Sequence, residues 1–113
     1  VQTLLPLLLE AVAHGRIGWG DLVRLTSAAP ARRFGLVGKG SLEVGADADF
    51  VLVDPARQGV ITDAQQLSRA GRTPFAGRAV TGWPVGTWLG GVQIADESGL
   101  LGAPRGRVLR RGA

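Results

Sequence analysis

The sequence predicts a mixed α/β chain in which three short helices are followed by a small unit of strands. Up to Gly35 the apolar residues are mostly leucines at helical spacing, and beyond it they are short valine-rich runs separated by glycine. A local signal agrees with the second half of that pattern. Gly90-Gly91 joins the runs 85–89 and 92–95, and a Gly-Gly pair between two such runs marks a hairpin, because its turn needs positive φ at both residues. The boundary between the two parts falls near residues 36 to 41.

Residues 3–14 read as the first helix. Thr3 suits the N-cap, Pro6 sits in the first turn where its missing N–H does no harm, and Gly15 suits the C-terminal stop. Leu4, Leu5, Leu8, Leu9 and Val12 follow helical spacing while Leu7, Ala11 and Ala13 fill the other side, so burial nearly all round is expected. A second helix is expected over 21–28, with Trp19, Leu22, Val23 and Thr26 along one face. Pro30 then opens a third helix that ends at Gly35.

Among the strands, Phe50-Val51-Leu52-Val53 is unbroken by polar residues and stops at Asp54-Pro55, which predicts a strand covered on both faces. Val60-Ile61 is a shorter candidate, and residues 63–67 carry a helical turn. Four or five short strands offer little area to three leucine-rich helices. The chain is therefore expected to be a piece of a longer one.

Composition excludes several chemistries. The 113 residues hold no Cys and one His, so the chain alone cannot build a four-ligand Cys/His zinc site, a disulfide framework or a Cys-His pair. Net charge is +4, but Arg105, Arg107, Arg110 and Arg111 lie in the last nine residues and the rest is neutral. No nucleic-acid partner is expected from a tail without a basic face. The opening leucines are too few for a membrane span and lack a basic lead, so no membrane association and no secretory route are expected, and the protein is placed in the cytoplasm.

Single motifs favour structural roles. In 35–40, Gly35-Leu36-Val37-Gly38-Lys39-Gly40, the spacing of a phosphate loop fails at Arg33 and Gly40, leaving turn chemistry. Asp47 and Asp49 lack the further oxygen donors of a cation loop and are expected to satisfy backbone groups at a strand entrance. His14 is expected to complement the helix dipole, with no carboxylate partner near it in sequence. Trp19, Trp83 and Trp88 are expected as core anchors and the arginine tail as a solvated or partner-contacting end.

The order of the motifs says more. Leu5-Pro6-Leu7-Leu8-Leu9, then Thr26-Ser27-Ala28-Ala29-Pro30-Ala31-Arg32-Arg33-Phe34-Gly35-Leu36, then Lys39-Gly40-Ser41-Leu42-Glu43-Val44-Gly45-Ala46-Asp47-Ala48-Asp49-Phe50-Val51-Leu52-Val53-Asp54-Pro55, closely resembles the C-terminal region of cyclic amidohydrolases. Thr73-Pro74-Phe75-Ala76-Gly77-Arg78 and Gly82-Trp83-Pro84-Val85-Gly86-Thr87-Trp88 resemble the return strands of the same group. Within it the sequence is most similar to dihydroorotases, with allantoinases and dihydropyrimidinases (hydantoinases) next.

The resemblance implies an α/β fragment: residues 1–36 as the last helices of a metal-dependent TIM barrel, and 37–113 as the C-terminal strands of a composite β-sandwich with a basic tail. It implies a parent enzyme that hydrolyses a cyclic amide C–N bond in pyrimidine biosynthesis, with a small cyclic amide as substrate and paired zinc ions activating a bridging water. A homo-oligomer, with a transcarbamoylase as a further partner, belongs to the same expectation. In that family the metal ligands precede the segment that resembles residues 5–9, so no catalytic, cofactor-binding or metal residue is assigned here. The chain alone is expected to be inactive. The competing expectation is a non-enzymatic packing or oligomerisation module of an inactive homologue.

Overall fold

The computed structural model describes residues 1–112. The elements follow in the order α1 (Leu4–Ala13), α2 (Trp19–Val23), a π-helical turn (Arg24–Ala28), α3 (Ala29–Phe34), β1 (Phe50–Val60), a 3-10 turn (Asp63–Gln65), β2 (Ala79–Leu89), β3 (Val92–Asp96) and β4 (Gly99–Leu100). The strands form one sheet in the order β1-β2-β3-β4. The chain divides into two compact units, Val1–Gly18 with Val53–Pro84, and Trp19–Leu52 with the chain from Val85 on.

In the first unit, α1 ends as its glycine predicts. Gly15 takes φ 69° and donates to the Val12 carbonyl, while Arg16 N–H reaches back to Ala11 O at 2.9 Å, which closes the last turn. Thr3 makes no side-chain cap, and burial is partial on most of the helix, with only Pro6 and Leu9 fully buried. Leu9, Ile61 and Val80 form the core of this unit at 2%, 1% and 2% exposure. Leu9 fits because Gly82 has no side chain: a Cβ there would lie 2.8 Å from Leu9 Cβ, and Gly82 holds φ 98°. The 3-10 turn carries a reciprocal cap, Thr62 with Gln65, and the Gln2 side chain donates to Gln65 O at 2.6 Å and accepts from Leu67 N at 3.0 Å.

In the second unit, the expected separate helices are one continuous run. Pro30 removes an N–H and crowds the carbonyl four residues earlier, and the preceding turn widens so that Ala29 N–H donates to Arg24 O. Thr26 Oγ1 donates to Leu22 O at 2.8 Å on the same stretch. Leu22 and Ala31 are its buried residues, and Gly35 at φ 63° ends α3. Trp19 is 47% exposed, so it is not the core anchor expected.

The strands are longer than the sequence predicts. β1 runs through Pro55, which an edge strand tolerates because its missing N–H points away from a partner. Asp54, expected to end the strand, instead accepts Ala56 N–H at 3.0 Å. Burial on both faces is also corrected: Phe50, Val51 and Leu52 are all exposed, Leu52 at 56%, since a single aromatic contact at Phe50 leaves most of this end of β1 open. The Gly90-Gly91 hairpin is present, with φ 58° and 80°, pairing Leu89 with Val92 and Trp88 with Gln93 across an irregularity at Thr87/Trp88. Trp88 stacks on Phe50 with centroids 4.8 Å apart. β4 was not foreseen; Asp96 turns the chain into it by accepting from Ser98 N at 2.7 Å and Ser98 Oγ at 2.6 Å. Among the described residues no helix is long and apolar enough to cross a membrane.

Gly82→Ala should cost about 1–3 kcal/mol in urea unfolding, from strain at positive φ and the clash with Leu9. Gly71→Ala, at φ 61° with open space around it, should cost about 1 kcal/mol. Equal costs would show that Leu9 does not need the bare backbone of Gly82.

Candidate functional site

The densest group of charged side chains lies in the second unit, where the chain leaves α3 and approaches β1. Gly38 and Gly40, at φ 76° and 85°, set a tight turn that puts Lys39 between them. Gly40 is held close: a Cβ there would meet Ala31 Cβ at 2.6 Å and Ser27 O at 2.9 Å. Asp47 N–H donates to Gly38 O at 2.9 Å and folds the far end of the loop back onto its start. The alternate spacing of Asp47 and Asp49 then brings both carboxylates to one ammonium. Lys39 Nζ is 2.8 Å from Asp47 Oδ2 and also donates to Asp49 Oδ2.

Each carboxylate has a second partner. Arg107 Nη2 donates to Asp47 Oδ2 at 2.7 Å, and Gly90 N–H, in the β2–β3 turn, donates to Asp49 Oδ1 at 2.8 Å. Ala48 O accepts Gly91 N–H beside it at 2.9 Å. The hydrogen bonds that Lys39 donates to Asp47 and Asp49 hold its ammonium charged to higher pH than usual. The Lys39 ammonium in turn lowers both carboxyl groups, with Gly90 N–H adding to the effect on Asp49 and Arg107 adding at Asp47. Such a lysine is neither a base nor a nucleophile, and its positive charge fills the space a cation would need. Asp49 thus satisfies a backbone group as expected, whereas Asp47 binds side chains, and Lys39 was missed as the hub.

His14 stands in the first unit. Its Nδ1 is 3.1 Å from Glu10 Oε1 and 3.1 Å from Glu10 O, so the expectation of no carboxylate partner is corrected: Glu10 lies one helical turn away. The second oxygen of Glu10 accepts Thr81 N–H at the start of β2. The imidazole therefore sits on an acid already engaged in joining α1 to β2. Among the described residues no three of His, Cys, Asp and Glu gather to hold a metal ion. The arginine tail is not simply solvated, since Arg107 pairs with Asp47 and the Arg111 stem lies over Gly35.

The profile of the amidohydrolase family matches residues 2–94. An allantoinase of Rubrobacter xylanophilus is 40% identical over 110 residues, which is 96% of this chain and 24% of that protein. A dihydroorotase of Pyrococcus furiosus is 37% identical over 113 residues, covering 99% of this chain and 27% of that protein. The solved L-hydantoinase (dihydropyrimidinase) from Arthrobacter aurescens superposes with a TM-score of 0.82 at 35% identity, over 86% of this chain and 22% of that one. The chain spans about a quarter of the length of the curated relatives it matches.

The charge cluster fixes a pH dependence. Asp49 has a lowered folded pKa, so its contribution is complete above its unfolded value near about pH 4 and fades as pH falls through the folded one. Lys39 is raised, so its contribution is complete below about pH 10 and fades as pH rises through its folded value. Asp49→Asn should cost about 1–2 kcal/mol in urea unfolding at neutral pH. That cost should stay level from about pH 5 to about pH 9 and shrink outside this window. A cost that grows toward acid would contradict the pairing.

Proposed function

The chain belongs to the amidohydrolase family, and from that membership we propose that the protein it serves hydrolyses the C–N bond of a cyclic amide, dihydroorotate foremost. The observation that carries the proposal is the similarity to a dihydroorotase over 99% of the chain. In such a reaction water adds to the ring carbonyl, the C–N bond breaks, and the leaving nitrogen takes up a proton. The single product is an open chain that carries the new carboxylate at one end and the released N–H at the other. Allantoin is the second candidate ring, favoured by the identity to the Rubrobacter xylanophilus allantoinase.

The residues of this chain do not fit a metal centre. The closest carboxylates, Asp47 and Asp49, share an ammonium, and the one imidazole faces a single acid. No catalytic step is therefore assigned to them, and the zinc pair implied by the resemblance is placed on residues outside this chain. The part given to residues 1–36 is to close a TIM barrel, and to 37–113 to supply strands of a composite β-sandwich. The exposed apolar end of β1 supports the second assignment, since Phe50, Val51 and Leu52 are residues that a further layer would bury.

Two outcomes follow. The chain alone, with zinc added, should leave dihydroorotate closed, whereas a longer polypeptide that includes upstream sequence should open it at least about 10-fold faster, by kcat/KM, than allantoin or hydantoin. Faster opening of allantoin would replace the preferred ring, and no opening of any of the three would overturn the enzyme. Leu52→Asp should change the stability of the chain alone by less than about 0.5 kcal/mol and that of the longer polypeptide by about 2 kcal/mol or more. Equal effects would contradict the composite sandwich.

A further inference from the structure

The C-terminal segment after β4 forms neither helix nor strand, and from Gly102 to Gly112 every residue is exposed. It nevertheless has a defined course, because a few contacts hold it. At its root, Leu101 N–H donates to Ile94 O at 2.8 Å. Midway, Arg107 Nη2 meets Asp47 Oδ2 at 2.7 Å. At its end, Gly112 N–H donates to Gly35 O at 2.9 Å, and the Arg111 stem occupies the place a side chain on Gly35 would take, 2.9 Å from an ideal Cβ. Between the last two contacts, Val108 and Leu109 line one cleft with Leu36 and Val37.

We propose that residues 102–112 are a salt-releasable strap, hinged at Leu101 and latched by Arg107 on Asp47, whose opening uncovers the turn after α3 at Gly35 and Leu36. The latch is built to open at little cost. Arg107 is 69% exposed, so its pairing is screened by added salt. Asp47 keeps Lys39 when the arginine leaves, so release strands no unpaired charge. Among the described residues the strap forms no strand ladder, and its backbone bond beyond the root is at Gly112.

Trypsin reads the latch directly, because Arg107 cannot enter the protease pocket while it is held by Asp47. In the purified chain, raising salt from about 0.05 to about 0.5 M should speed cleavage after Arg107 about threefold or more. Cleavage after Arg16 and Arg72, exposed arginines of the other unit, should hold its rate after correction for protease activity with a free arginine peptide. Asp47→Asn should speed the Arg107 cut at low salt to a similar degree and abolish its salt response. Hydrogen exchange should then quicken at the Gly112 amide and stay unchanged at Leu101. The proposal is overturned if the Arg107 cut ignores both salt and Asp47→Asn, if all arginines respond together, or if Leu101 exchanges as fast as Gly112.

Discussion

One ammonium organises the second unit. Lys39 holds Asp47 and Asp49 together, and through Asp47 Oδ2, which also accepts from Arg107, and Asp49 Oδ1, which accepts from Gly90 N–H, it ties four pieces of chain that are distant in sequence: the glycine turn after α3, the entrance to β1, the β2–β3 turn and the tail. The group is partly shielded from water, each acceptor has a second donor, and none of its charges is left alone. That completeness separates it from an ordinary surface ion pair, whose net worth is small. A lysine saturated by two carboxylates has no lone pair to offer, and two carboxylates saturated by a lysine have no room for a metal.

Backbone geometry supplies the rest of the order. Gly15 and Gly35 end their helices in the left-handed region, Gly38 and Gly40 aim Lys39, and Gly90-Gly91 makes the turn that reaches Asp49. Where glycine gives way to packing it does so by absence, as at Gly82 under Leu9 and Gly86 under the Trp88 ring. These positions place elements with small apolar cores, one centred on Leu9, Ile61 and Val80 and one on Leu22 and Ala31. Cores so small leave much apolar surface outside, including Phe50 to Leu52 on β1, and that surplus is what the proposed further layer would cover.

Legibility followed the range of the interactions. The helix stops at Gly15 and Gly35 and the Gly-Gly hairpin were readable because each is decided within a few residues. The length of β1 was not, because Pro55 reads as a stop unless the strand is known to lie at an edge, which depends on the order of the sheet. Glu10 and His14 could have been paired from their four-residue spacing on α1. Lys39 was hidden because its partners lie across a loop, although two aspartates at alternate positions after a glycine-flanked lysine carry a signal for one shared cation. No catalytic group was assigned from the sequence, and the chain matches about a quarter of each relative.

The central claim is that Lys39 and Asp49 act as one unit rather than as two polar surface residues. A double-mutant cycle of Lys39→Met and Asp49→Asn, followed by urea unfolding at neutral pH, tests it most directly. The single costs should not add, with a coupling of about 1 kcal/mol or more. Costs that add to within about 0.3 kcal/mol would contradict it and reduce the cluster to neighbouring charges without a shared task.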